Sequence, residues 1–273
     1  MRTLSRAVKT IKDTVFPPRC FVCRSFFHNT LSTHTRELQG KCCVDHFHFA
    51  KLMPSFLCPT CINDFSSIEP PICSMCGKMF KTREGNDHEC EDCITSPKHF
   101  TMARAAGIYD QSLMDLIHQF KYKGKTQLAK PLGKLLFTTL FHIWNNKNID
   151  VIVPVPLHKK RFKKRGFNQA YLLIKGWEKI NEKIESGLLY TQIDRNVLTR
   201  EKHTKPQTGL RRKERVENIR NAFIIENTEK VKGKRVLIVD DVYTTGATTN
   251  ECARVLLKHG AQSADVLTLA RAV

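Results

Sequence analysis

Apolar and polar positions change their rhythm part-way along the chain. In the second half, short apolar runs alternate with amphipathic stretches, the pattern of an α/β domain with a largely parallel sheet. Ala103–Tyr109 predicts a first strand and Ser112–Lys123 a helix, and a second helix follows over Leu128–Trp144 with Pro131 near its start. Ile149–Val155 predicts a buried strand. Asn168–Ile184 predicts a helix that Asn168 caps, since its short side chain accepts from the first free amides. Arg235–Val239 is the clearest strand, and Thr248–His259 the helix after it. Gly260 stands where a helix end favours positive φ, and Asp265–Leu269 closes the chain as a strand. There is no internal repeat.

The first half has little periodicity and is rich in Cys, His and Pro. Its one periodic stretch is basic: Leu4, Val8, Ile11 and Val15 recur at helical spacing and predict an amphipathic helix docked on the rest of the protein. Ten of the eleven cysteines lie between Cys20 and Cys93, so the composition shift divides the chain into 1–99 and 100–273. A chain of 273 residues is long enough for one large domain with such an appendage. No apolar run reaches membrane-spanning length and no signal-peptide core follows the basic start, so the expectation is a cytoplasmic protein without membrane insertion.

In a reducing compartment, clustered cysteines bind metal rather than pair as disulfides. Four CxxC pairs stand out: Cys20/Cys23, Cys58/Cys61, Cys73/Cys76 and Cys90/Cys93. Each pair presents two thiolates to one ion, and two pairs close a tetrahedral site. Two zinc ribbons are expected, structural in role because a closed site leaves no open coordination position. The first must span a long insert carrying Cys42, Cys43, His46 and His48, any of which competes as a ligand.

The formal charge of +19, from 45 Lys and Arg against 26 Asp and Glu, points to polyanionic partners such as phosphate compounds or nucleic acid. One stretch sharpens this. In VLIVDDVYTTGAT, residues 236–248, an apolar strand runs into Asp240 and Asp241 and then a small-residue turn. Ligands of open α/β sheets bind beyond such strand ends. Thr244, Thr245, Gly246, Ala247 and Thr248 offer hydroxyls, close backbone approach and a helix N-terminus, which suits a phosphate. The two carboxylates accept from vicinal hydroxyls or support Mg²⁺, so together the stretch describes a sugar phosphate. It lacks the GxxxxGK[ST] and GxGxxG patterns of other nucleotide sites.

Two further segments are basic. VPVPLHKKRFKKRGFNQA, 153–170, follows a strand and reads as a basic loop, with Lys164 and Arg165 among its cations. LTREKHTKPQTGLRRKERVENIRNAF, 198–223, reads as part loop and part helix. Phe162 and Phe167 flank basic residues as base-stacking side chains do, though packing under the loop is the simpler reading for Phe167.

The 236–248 stretch resembles the ribose 5-phosphate signature of type I phosphoribosyltransferases, which bind phosphoribosyl pyrophosphate (PRPP) with Mg²⁺. The resemblance implies that Asp240 and Asp241 hold the ribose hydroxyls and Thr244 to Thr248 the 5′-phosphate. It implies too that Lys164 and Arg165 meet the pyrophosphate leaving group, whose charge grows in the transition state. It also implies a type I phosphoribosyltransferase-like parallel sheet with helices on both faces, preceded by a small Cys-rich zinc-ribbon domain. With the cysteine pairs and FKYKGKTQLAKPLG, 120–133, the whole order is similar to the ComF/GntX family of competence-associated proteins. RGFNQ and the set Thr204, Gln207, Arg215 and Asn218 belong to that likeness. It implies PRPP binding, transfer to an unidentified acceptor and a link to DNA uptake. The alternative is a non-catalytic PRPP or nucleotide sensor that binds single-stranded DNA or competence-machinery proteins.

Overall fold

The computed structural model describes residues 17–28, 44–82, 84–144, 149–184, 191–204 and 211–273. The expected N-terminal helix, Cys42, Cys43 and Gln207 lie outside them, as does the side chain of His46. Among the described residues the cysteine-rich part holds three short helices, α1 (Val44–Leu52), α2 (Pro59–Asn63) and α3 (Glu91–Thr95). Then come β1 (Met102–Ile108), α4 (Gln111–Tyr122), α5 (Ala129–Trp144) and β2 (Val151–Pro154). Three helices follow: α6 (Lys159–Arg165), α7 (Gln169–Ile174) and α8 (Trp177–Ile184). After β3 (Gln192–Ile193), the pair β4 (Thr199–Arg200) and β5 (Phe223–Ile224) brackets α9 (Arg212–Ile219). The chain closes with β6 (Arg235–Tyr243), α10 (Ala247–Lys258) and β7 (Ser263–Arg271).

Five strands form one parallel sheet in the order β1-β7-β6-β2-β3. Side chains alternate across it with the period of a strand. Leu237 and Val239 of β6, with Ile152 and Leu267, face a core shared with Leu116, Leu135 and Leu173 of the helices α4, α5 and α7. Val236 and Ile238, with Val153 and Val266, face a second core with Cys252 and Leu256 of α10 and Phe223 of β5. Each side chain of this size contributes roughly 1.5–3 kcal/mol by leaving water. That is why β6 reads as an unbroken apolar run instead of an alternating one.

Three elements depart from expectation. The strand predicted to end at Val239 continues through both aspartates to Tyr243, because β7 pairs with it as far as Tyr243↔Arg271. The helix predicted over 168–184 is two helices, separated by Lys175 and Gly176. The basic segment after β2 is not a loop but α6, bounded by a His158 cap that accepts from the Lys160 amide and by Gly166 at φ +83°. Asn168 caps α7 as expected, its oxygen accepting from the Tyr171 amide while its amide donates to the Val155 carbonyl at 3.0 Å.

The cysteine-rich part covers the sheet edge. The Ala103 amide donates to the Met75 carbonyl at 2.7 Å, and the Ile108 amide to the Ser66 carbonyl at 2.9 Å. An edge strand with free amides is a template for unwanted pairing, and here the ribbon segments occupy it. Cys20, Phe49, Met53 and Phe65 enter the first core, while Cys73, Cys76, Cys90 and Cys93 enter the second. The two cysteine clusters therefore lie on opposite faces of the sheet.

Candidate functional site

The four thiols of Cys20, Cys23, Cys58 and Cys61 gather within 4.8 Å, as do those of Cys73, Cys76, Cys90 and Cys93. The first ribbon thus closes across its insert, and His48 takes no part in that group, its ring lying 5.8 Å from His142. A tetrahedral zinc with Zn–S bonds of about 2.3 Å sets its sulfurs about 3.8 Å apart. The Cys23–Cys58 and Cys76–Cys90 sulfur separations are 3.6 and 3.7 Å. Both groups are compatible with structural zinc.

The surroundings of the second cluster pull its thiols in opposite directions. Burial opposes the charge on Cys73, but the amides of Cys76 and Cys90, at 3.4 and 3.3 Å from its sulfur, outweigh it and bring its pKa down to about 7. Burial pushes the Cys76 thiol up to about 11 even though Arg271, at the end of β7, donates to its sulfur at 3.2 Å. Burial pushes Cys61 and Cys93 well up too. Four clustered thiolates without a cation would repel, so the ion and the fold of each ribbon are linked.

The second site forms where the strand order reverses. From β2 the chain steps outward to β3, and from β6 it steps the other way to β7, so the crevice lies between β2 and β6. In-register pairing of Pro154 with Val239 brings their carboxyl ends side by side. Open α/β sheets bind ligands in such a crevice. Two segments distant in sequence leave these neighbouring strand ends: α6 after β2, and the Thr244–Thr248 turn after β6.

Asp240 and Asp241 are both buried, and the Asp241 amide donates to Asp240 Oδ1 at 2.9 Å. Burial, and then the neighbouring Asp241 charge, push the Asp240 carboxyl up to about 7. Lys121, on the last turn of α4, holds Asp241 Oδ1 at 2.8 Å. The other Asp241 oxygen is buried and has no hydrogen-bond partner among the described residues. Lys121 was not among the residues singled out by sequence. Its signal was position: it falls four residues after Ile117 and eight after Leu113, on the stripe that α4 buries.

Gly246 caps α10 with φ +74°, and a Cβ there would lie 2.2 Å from the Tyr243 hydroxyl. Thr244 Oγ1 accepts from Arg215 of α9 at 3.0 Å, and Thr245 Oγ1 from the Ala247 amide at 3.4 Å. Thr249 hydroxyl donates to the Gly246 carbonyl at 3.1 Å. On the β2 side, Lys164 is exposed, whereas Arg165 donates to Gln169 Oε1 at 2.5 Å and stacks on the Tyr122 ring at 5.4 Å. Sequence reading also passed over Arg200, which is buried over Phe223 and donates to Thr204 Oγ1. Burial, aided by the charge of Arg161, lowers its pKa to about 10.

The raised Asp240 pKa carries a sign that stability measurements will read. Its folded value exceeds the ordinary 3.8, so the folded state holds the extra proton, and stability falls as pH rises from about 4 to about 7. Asp240→Asn removes that penalty. Between pH 5.5 and 8, the urea-unfolding advantage of the variant is expected to widen by about 2 kcal/mol. A constant difference would show that Asp240 ionises normally.

A parallel sheet whose switch point joins an acidic strand end to a small-residue turn at a helix N-terminus is the architecture of a phosphoribosyltransferase-type domain. The family model described as phosphoribosyl transferase domain matches residues 183–272. The chain is 31% identical to competence protein F of Haemophilus influenzae over 234 residues, 84% of this chain and 95% of that protein. It is 33% identical to the DNA utilization protein YhgH of Escherichia coli over 214 residues, 73% and 90% of the two chains. Against competence protein ComFC of Bacillus subtilis the figures are 28% over 223 residues, 79% and 84%. The chain belongs to the ComF/GntX family.

Proposed function

We propose that the crevice between β2 and β6 binds PRPP together with Mg²⁺ and passes the phosphoribosyl group to an acceptor not yet identified. The observation that carries this is the meeting of a buried acid pair, a phosphate-type turn and a basic helix at one switch point. In this reading Asp240 and Asp241 accept from the ribose hydroxyls and Thr244, Thr245, Gly246, Ala247 and Thr248 surround the 5′-phosphate. Arg165 and Lys164 meet the pyrophosphate, whose growing negative charge they favour as the bond to ribose breaks. Mg²⁺ enters with the pyrophosphate oxygens. Residues 1–99 supply structure through zinc, and 100–273 supply the ligand site.

A test is calorimetric titration of PRPP with and without Mg²⁺. Asp241→Asn is expected to weaken binding by about 1–3 kcal/mol, the worth of a charged hydrogen bond. Unchanged affinity would place the pocket elsewhere. Pyrophosphate release across a panel of acceptors then separates an enzyme from a sensor that binds without transfer.

A second reading is favoured by Phe162, 48% exposed between Arg161 and Lys163 on α6. An exposed ring among cations suits stacking of single-stranded bases. Phe167 packs instead against Phe120 at 5.6 Å. The relatives' names refer to competence and DNA utilization, and with the charge of +19 they support a cytoplasmic role in handling incoming DNA. Competition between a single-stranded oligonucleotide and PRPP would join the two readings on one surface.

A further inference from the structure

We propose that Lys121 is a positioning residue of the ribose pocket: a built-in counter-ion that keeps Asp241 ready for a ligand hydroxyl and takes the place of a carboxylate-bound divalent cation. The proposal rests on the phosphoribosyl reading of the crevice and goes beyond it to the metal requirement. Helix α4 buries Leu113, Leu116, Ile117 and Phe120, so its position is set by the core and not by the ion pair. From that anchored helix the Lys121 ammonium reaches Asp241 Oδ1 at 2.8 Å, with 14% and 5% of the two side chains exposed. Burial works against the ammonium, yet the charge of Asp241 outweighs it and Lys121 stays protonated.

The geometry divides the carboxylate into two tasks. Oδ1 carries the ammonium, while Oδ2 is buried and has no partner among the described residues. An unpaired buried acceptor is costly, and a ribose hydroxyl would satisfy it. A divalent cation such as Mg²⁺ binds a carboxylate oxygen at about 2.0–2.1 Å and demands a near-octahedral shell. An ammonium already seated on the same carboxylate opposes that by charge and by space. Lys121 offsets the charge of Asp241, so hydroxyls are bound without a metal. Mg²⁺ is then needed only where the ligand brings its own pyrophosphate.

The experiment compares ribose 5-phosphate and PRPP, each titrated into the zinc-loaded full-length protein with and without added Mg²⁺. Wild-type protein is expected to bind ribose 5-phosphate equally in both conditions, and PRPP more tightly with Mg²⁺. Lys121→Gln is expected to lose at least tenfold in ribose 5-phosphate affinity without Mg²⁺ and to recover part of it with the metal. Lys121→Arg, which keeps the charge, should stay close to wild type. A structural lysine would not change the metal dependence. Mg²⁺-dependent ribose 5-phosphate binding by the wild-type protein overturns the inference without any variant, as does a Lys121→Gln protein that binds like wild type. If wild-type protein binds neither ligand, the phosphoribosyl reading itself fails and takes this inference with it.

Discussion

Stripping the metal from the second cluster, by chelation or by Cys76→Ser, is expected to unfold the ribbon and release the edge of the sheet. Structural zinc contributes about 10–16 kcal/mol in small zinc-binding peptides, as much as or more than the net stability of a typical domain, about 5–15 kcal/mol. Here the cluster sits in a core that also contains Phe100, Ala103 and Tyr243, so its collapse is not confined to a surface appendage. Hydrogen exchange should show loss of protection first around Cys73–Cys93 and then along β1, whose Ala103 amide depends on Met75. Metal analysis of the intact protein should find two zinc ions per chain. A protein that holds no zinc, or whose exchange pattern ignores chelation, would contradict the structural role.

The second large effect is expected at Gly246. A residue with a side chain at φ +74° is strained by roughly 1–3 kcal/mol before any contact is counted. A further obstacle lies beneath the turn. The new Cβ would meet the Tyr243 hydroxyl at 2.2 Å and its ring carbon at 2.4 Å. Tyr243 has no room to yield: it is buried, edge-on to Phe100 at 6.1 Å and under the Arg271 guanidinium at 4.5 Å. Gly246→Val is therefore expected to displace the whole turn, lowering the melting temperature by roughly 5–15 °C and abolishing detectable phosphate-ligand binding. Gly246→Ala should fall between. A Val variant that melts and binds like wild type would mean that the turn adapts freely.

What could be read from residues alone were the features written locally. The β6 run, the helix after it, the Asn168 cap and the cysteine spacing each depend on neighbours a few positions away. The seven residues Lys159–Arg165 show no apolar stripe, and their helix comes from its two ends, His158 and Gly166. Strand β6 runs past its aspartates because β7 offers hydrogen bonds there, a fact stored in another segment. The partners of Lys121 and Arg200 lie across the fold: the buried stripe of α4 places Lys121 inward but does not name Asp241. Gly176, by contrast, was a visible break within the predicted 168–184 helix.

Arg271 ties the end of the chain to its beginning. The residue stands 195 positions after Cys76, whose sulfur it contacts, and the strand that carries it is the neighbour of β1. On a ribosome adding about 5–20 residues per second, Cys76 is made roughly 10–40 s before its partner. Throughout that interval the cysteines have zinc as their available partner, while β1 waits with the edge that β7 will later fill exposed. Metal binding by the ribbon is thus open to the nascent chain before the sheet can close. A nascent chain paused before β7 is made would display the ribbon beside an open β1, a species exposed to aggregation and to capture by chaperones.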